Sequence, residues 1–186
     1  MKIGVFGSAE GNTVTDIVKK RAYELGVEAA RRGHEIITGA STGLPYEAIL
    51  GAASEGGVTL GFSPARNAEE HTKFGFPSEG FGHINFIPAD FPYLGGKRIC
   101  QKYRNVLAVA ASDCAIFIGG RMGTMNEFTL AFDFGKCIGL MEGTGGIVDR
   151  TIRTLLDGMD KDNGSRILFS RDTQTLLNFF EEAHTS

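Results

Sequence analysis

The stretch CAIFIGGRMGTMNEF, residues 114–128, contains the pattern that decides the fold class. It opens with an uninterrupted apolar run, which is typical of a strand buried on both faces of a parallel sheet. Glycines follow at 119, 120 and 123, where the chain needs a tight turn, and a helical pattern then begins. The stretch therefore predicts a buried strand, a glycine-rich turn and a helix in direct succession.

This alternation of strand and helix continues along the chain. Strands are predicted at 2–8, 35–39, 58–63, 83–90, 114–120, 137–142 and 166–170. Helices are predicted at 15–32, 45–55, 123–134 and 147–157, from about 172 onward, and before the fifth strand, where one face carries Ile99, Tyr103, Val106, Leu107 and Ala110. Right-handed connections then give an α/β, Rossmann-like, doubly wound parallel sheet of about seven strands with helices on both faces.

A chain of 186 residues without a shift in composition is expected to form one domain over 1–186. The segment 64–83 departs from the regular pattern, because it lacks clear periodicity, and loops of this length are usually functional or mobile. Its phenylalanines at 74, 76 and 81 either stack on the base of a ligand as a lid, or pack on the sheet edge or on a second subunit.

The composition of the chain limits the classes of binding partner and the cellular compartment that we expect for it. The formal net charge of −3 argues against nucleic acid or an anionic membrane as the main partner, because both require a clustered positive field. Three distant cysteines and scattered histidines indicate neither a disulfide framework nor a metal site. With no apolar stretch of membrane-spanning length and a strand at the N-terminus, we expect a cytoplasmic protein.

Three glycine-rich turns, at 7–12, 38–43 and 119–124, are expected to meet at one edge of the sheet, where ligands bind in such folds. The third turn opens a helix, whose unpaired amides and positive dipole end suit an anion. The turns contain neither a Walker A lysine nor a GxGxxG fingerprint, so they match no standard nucleotide-binding loop. Two interpretations are open: the turns hold a small phosphorylated ligand, or they contain glycine only because their backbone adopts positive φ. The candidate phosphate and nucleotide contacts are Gly7, Ser8, Gly39, Ser41, Thr42, Gly43, Gly119, Gly120, Arg121, Met122, Gly123 and Thr124.

Glu127 has two interpretations. With Thr124 it matches a capping box, in which the two side chains satisfy backbone amides at a helix start, and from these residues alone we favour that interpretation. A catalytic role requires a cation within reach, for which Arg104 on the preceding helix is the candidate. The alternative for Arg104 is a solvated surface position, as for most arginines.

The region KYRNVLAVAASDCAIFIGGRMGTMNEF, residues 102–128, resembles the signature of the LOG-like proteins, a family once labelled possible lysine decarboxylases. Its enzymes are cytokinin-activating phosphoribohydrolases and related nucleoside-monophosphate hydrolases. The family motif PGGxGTxxE, preceded by an arginine with lysine or asparagine, is matched by Arg104, Asn105, Gly120, Gly123, Thr124 and Glu127. The similarity extends over about residues 2–142, since the first two glycine-rich turns also match.

Two departures from the motif bear on function. Gly119 replaces its proline, and Arg121 replaces its second glycine. The glycine, together with the pair Arg104-Asn105, looks closer to the molybdenum-cofactor-carrier-like branch, which shares the fold and a nucleotide-type pocket. Arg121 either clamps a phosphate with two hydrogen bonds or fills the space where a phosphate would contact the backbone.

The resemblance implies that Arg104 and Glu127 form a catalytic pair and that the glycine turns contact phosphate and ribose. The first hypothesis is hydrolysis of the N-glycosidic bond of a nucleoside 5′-monophosphate to free base and ribose 5-phosphate. The alternative is a carrier without turnover, for molybdenum cofactor or another phosphorylated small molecule, or a sensor that reads nucleotide signals. We also expect a homodimer with helices near Arg104 at the contact, and neither a resident cofactor nor a metal.

Overall fold

The computed structural model describes residues 1–11, 14–158 and 164–185. Its strands are β1 (Lys2–Gly7), β2 (Glu35–Thr38), β3 (Thr59–Phe62), β4 (His83–Asn85), β5 (Cys114–Ile118), β6 (Cys137–Met141) and β7 (Ile167–Ser170). They form one sheet in the order β4-β3-β2-β1-β5-β6-β7, and every pairing is parallel. The predicted α/β, Rossmann-like sheet of seven strands is confirmed.

The helices cover both faces of this sheet, as predicted. They are α1 (Asp16–Arg31), α2 (Leu44–Ser54), α3 (Ala68–Lys73), α4 (Lys97–Ala111), α5 (Met122–Asp133), α6 (Gly146–Arg150), α7 (Ile152–Asp157) and α8 (Thr173–His184). One apolar core lies under α1, α2 and α8, and a second lies under α4, α5, α6 and α7. Within the described ranges, no helix combines the length and the apolar character needed to cross a bilayer.

Two predicted elements differ from what their apolar pattern suggested. The fourth strand was expected to run to 90 but ends at Asn85, shortly before Pro88, which has no amide to donate to a sheet. The helix expected over 147–157 is divided at Thr151, which is the C-cap of α6 and the N-cap of α7.

The segment 64–83 is more ordered than its sequence suggested. It contains α3, which begins where the Asn67 side chain accepts a hydrogen bond from the Glu70 amide at 2.9 Å. The fully buried His71 anchors the segment, because its ring bonds to Ser63 Oγ at 2.8 Å and to the Pro77 carbonyl at 3.0 Å. A six-residue helix spans less than two turns, so the sequence carries too little periodicity to reveal it.

Helix α4 buries a different face from the one its apolar residues mark. The buried residues are Cys100, Arg104, Asn105, Ala108 and Val109. The stripe that begins with Ile99 lies outward instead, where Ile99 is 48% and Val106 38% exposed. Polar side chains therefore point inward from this helix, toward the carboxyl ends of the strands.

Helices α1 and α2 pack with their backbones in direct contact. A Cβ atom on Gly26 would collide with the Ala48 carbonyl oxygen, and one on Gly51 would collide with the Tyr23 carbonyl oxygen. Each helix therefore contributes a glycine at the point where the other helix comes closest. This contact holds α2, and with it the turn that precedes α2, against the central strands.

We predict that Gly51→Ala destabilises the protein by about 1–3 kcal/mol, as other overpacked core substitutions do. The loss should appear in urea denaturation even though alanine favours a helix over glycine by about 1 kcal/mol. Gly95→Ala is the matched control, because a Cβ atom at Gly95 meets nothing within 4 Å. Equal stability of Gly51→Ala and wild type would contradict the close helix contact.

Candidate functional site

A cavity of about 210 Å³ opens at the carboxyl ends of β1 and β5. The strand order reverses here, since β1 to β4 run to one side of the sheet and β5 to β7 to the other. This switch point is where ligands bind in open α/β sheets. Of the residues predicted from the sequence, the cavity is lined by Gly7, Ser8, Gly39, Ser41, Arg104, Arg121, Gly123, Thr124 and Glu127.

The turn after β5 is held in place by its neighbours. The Gly120 amide donates to Ser8 Oγ at 2.7 Å, and the Gly119 amide donates to Thr144 Oγ1 at 2.8 Å. The Gly120 carbonyl accepts from the Ile147 amide at 3.0 Å. Both glycines have positive φ, +62° at Gly119 and +95° at Gly120. Their amides therefore stabilise the turn, and neither residue lines the cavity.

Three further predicted contacts also lie outside the cavity lining. Thr42 is exposed, and its hydroxyl donates to the Ala9 carbonyl at 3.4 Å. Gly43 has a φ of +91° and lets the start of α2 pack against the backbone of residues 8 and 9. Met122 is 79% exposed.

The start of α5 presents free hydrogen-bond donors. The helix begins at Met122, and in the described part of the chain the amides of Met122, Gly123 and Thr124 donate to no other group. The predicted capping box is wrong, because Thr124 lies inside the first turn and no side chain caps the helix. A helix start with unpaired amides beside a cavity suits an anionic ligand.

Arg104 is buried, contrary to the surface alternative. It is 9% exposed, and its Nη1 donates to the Gly39 carbonyl. Its Nε has no hydrogen-bond partner among the described residues. A Cβ atom on Gly39 would overlap the guanidinium, so the absence of a side chain at Gly39 makes the room that Arg104 occupies.

Glu127 lies on the inner face of α5 and is 8% exposed. Its carboxylate accepts no hydrogen bond from any residue that the structure describes, and it faces the cavity. Burial raises the pKa of Glu127 to about 7, against the opposing charges of Arg104 and Lys102. Burial lowers the pKa of the Arg104 guanidinium, because it disfavours the charged form there too, and the charge of Glu127 partly offsets this decrease. The site therefore holds a carboxyl group that ionises near neutral pH beside a buried cation.

Arg121 stands at the rim of the cavity, where its side chain is paired with Glu10. Its Nη2 lies 3.1 Å from Glu10 Oε1, and both side chains are well exposed. Surface ion pairs of this kind contribute at most about 1 kcal/mol, so the guanidinium can turn toward a bound anion at little cost.

The sequence interpretation missed Gln101 and Lys102, which also line the cavity, and did not include Asn105 among the contacts. Asn105 is 3% exposed, its Nδ2 donates to Asn126 Oδ1 at 3.0 Å, and its Oδ1 has no partner in the described residues. Helical spacing could have found them, because Gln101 and Lys102 precede Arg104 and Asn105 by three places on α4.

Two of the histidines, His34 and His71, have structural contacts away from the cavity. His71 anchors the segment around α3, and His34 Nε2 lies 2.9 Å from Glu181 Oε1. Across residues 1–11, 14–158 and 164–185, no group of three His, Cys, Asp or Glu side chains is arranged to hold a metal ion. The expectation that the switch-point cavity holds no metal stays a prediction.

The raised pKa of Glu127 makes stability depend on pH. The folded state keeps a proton on this carboxyl up to about pH 7, whereas the unfolded state loses it near an ordinary 4.5. Wild-type stability should therefore fall as pH rises through this window, by up to about 3 kcal/mol. Glu127→Gln cannot ionise, so it should match wild type near pH 5 and exceed it at pH 8 in urea denaturation.

The control for this prediction is Glu69→Gln, which changes a glutamate that is 76% exposed. Its effect on the free energy of unfolding should be small and alike at both pH values. If Glu127→Gln showed no gain between pH 5 and pH 8, the carboxyl would be solvated and not buried.

Comparison with known proteins identifies the family to which this chain belongs. The model of the SLOG cluster4 family matches residues 1–177. An uncharacterized protein of Archaeoglobus fulgidus is 30% identical over 136 residues, which cover 73% of this chain and 76% of that protein.

Solved structures show the same fold. TM1055 superposes with a TM-score of 0.78 at 23% identity, over 97% of this chain and 98% of that one. The molybdenum cofactor binding protein of Rippkaea orientalis gives 0.71 at 23% identity, over 100% and 97%. DNA processing protein A of Helicobacter pylori, described with a single-stranded DNA binding mode, gives 0.64 at 18% identity, over 100% and 80%. Together with the switch-point cavity, the family match shows that this chain belongs to the SLOG cluster4 family, a group of LOG-like, Rossmann-like proteins.

Proposed function

We propose that the cavity binds a nucleoside 5′-monophosphate and that the protein hydrolyses its N-glycosidic bond. The observation that carries this proposal is the Glu127 carboxyl, buried without a hydrogen-bond partner in the described residues and facing the cavity. A buried, perturbed carboxyl group in a cleft is characteristic of a functional site. The unpaired amides at the start of α5, one turn away, supply the complementary place for a phosphate.

The phosphate binds at the start of α5 in this proposal. Gly123 and Thr124 lie in the first turn of α5 and both line the cavity, where the helix dipole favours an anion. Arg121 at the rim adds a cation that can form two hydrogen bonds to the phosphate. The bound phosphate then fixes the ribose between α5 and the buried end of α4.

The chemistry assigns the central role to Glu127. As the bond between C1′ and the base breaks, its electron pair leaves with the base, and positive charge develops on the ribose as in other glycoside cleavages. The Glu127 carboxylate stabilises this charge and takes a proton from the water whose oxygen bonds to C1′. The proton ends on the departing base. A group with a pKa near 7 is suited to accept and return a proton at neutral pH.

The test is to incubate the purified protein with AMP and with a panel of other nucleoside monophosphates, and to assay free base and ribose 5-phosphate. Wild type should release both in equal amounts, with a rate that rises with pH to a plateau above about 7 as Glu127 ionises. Glu127→Gln should lose about 10²–10⁴-fold in kcat. Glu69→Gln is again the matched control, and undiminished turnover by Glu127→Gln would disprove the mechanism.

A second candidate function is a carrier or sensor that retains its ligand unchanged, such as molybdenum cofactor or another phosphorylated small molecule. The observation that favours it is Arg121, whose guanidinium stands at the rim where the family motif has a glycine. The fold shared with a molybdenum cofactor binding protein is compatible with it. In the same assay, a carrier would show ligand-dependent thermal stabilisation without product.

We also propose that the protein is a homodimer that pairs through the outer face of α4. Ile99 and Val106 are exposed there at 48% and 38% on one helical stripe, and contiguous apolar surface of this kind marks interaction sites. Light scattering should give a dimer for wild type and a monomer for Val106→Glu. Lys20→Glu, on an exposed position of α1, should remain a dimer. A wild-type monomer would refute the proposal.

A further inference from the structure

We propose that Cys114, Cys137 and Met1 bind one Cu(I) ion at the edge of the sheet opposite to the nucleotide cavity. The site lies at the amino ends of β5 and β6, and it is independent of the proposed function. Its three ligands are all sulfur atoms.

The two cysteines are brought together by strand register. Cys114 and Cys137 begin the neighbouring parallel strands β5 and β6 and are direct partners in the sheet. Neighbouring strands lie about 4.8 Å apart, and paired residues project to the same face. Both side chains indeed belong to the core under α1, α2 and α8.

Met1 places a third sulfur at the distance that a shared ion needs. Cys114 Sγ lies 3.8 Å from Met1 Sδ. Three sulfur atoms around one ion, with bonds of about 2.3 Å, form a triangle with edges of about 4 Å. The observed separation therefore matches one edge of a trigonal site.

The space at this edge is large enough for a metal ion. A second cavity, of about 250 Å³, is lined by Met1, Cys114 and Cys137 together with Arg166. Two thiolates and one monovalent ion would carry a net charge of −1; among the residues that line the cavity, the Arg166 guanidinium can balance this charge, and the Asp113 carboxylate adds to it.

The ligand types select the metal. Thiolate together with thioether sulfur favours Cu(I), whereas zinc prefers four ligands from cysteine, histidine or carboxylate. His184 lines the same cavity, but it forms no three-residue cluster with the two cysteines in the described chain. On binding, each thiol releases its proton to solvent, each sulfur donates an electron pair to the ion, and copper stays in its +1 state.

The test is an anaerobic titration of the reduced full-length protein with Cu(I), in competition with a chromogenic Cu(I) chelator. Wild type should take up a single equivalent, and Cys137→Ser should bind at least about 100-fold more weakly. Cys100→Ser is the matched control, because Cys100 is a buried cysteine on α4, far from this edge, and it should bind like wild type. Zn(II) at the same concentration should not compete.

Selenomethionine-labelled protein tests the third ligand. X-ray absorption at the copper edge should show two sulfur neighbours and one selenium neighbour. Equal Cu(I) affinity of wild type and Cys137→Ser, or equal losses in Cys137→Ser and Cys100→Ser, would overturn the site, and a copper shell without selenium would remove Met1 from it. Thermal denaturation of the copper-free variants separates loss of a ligand from loss of the fold.

Discussion

The parallel pairing of β1 with β5 is the constraint on which the rest of the structure depends. The chain leaves β1 toward one side of the sheet and returns to β5 on the other, so the turns after these strands diverge and leave a crevice. The bond from the Gly120 amide to Ser8 Oγ, at 2.7 Å, ties the two turns together at the base of that crevice. This tie fixes the direction of α5, and it thereby aims the free amides and Glu127 at one cavity.

The cavity contains two buried ionisable groups, on which both proposed functions rest. Arg104 and Glu127 are both largely withdrawn from water, and no direct ion pair joins them within the described residues. Burial of unpaired charge is unfavourable, and the surrounding fold offsets this cost. A ligand with an anionic group near the start of α5 and polar groups near Arg104 would provide hydrogen-bond partners for the groups that have none among the described residues. The same unsatisfied groups serve a hydrolase and a carrier, so turnover is what distinguishes them.

Much of the fold could be predicted from periodicity, because continuous apolar strands and glycine-rich turns are local signals. The seven strands and their parallel arrangement follow from that pattern. The sequence-based prediction was wrong where one local sequence pattern is compatible with two different structures. Thr124 and Glu127 match a capping box, yet the helix begins two residues before Thr124. The apolar stripe of α4 suggested a core face, yet the structure buries Arg104 and leaves Val106 exposed.

The sequence by itself determined the strand–turn–helix order and the residue types that gather at the carboxyl ends of the strands. Apolar periodicity and positive-φ glycines act over a few residues, so these features need no knowledge of distant contacts. Only the tertiary structure decided which turn amides remain free, that Gly39 makes room for Arg104, and that Cys114 meets Cys137 and Met1. These outcomes depend on strand order and register, which join residues far apart in the chain.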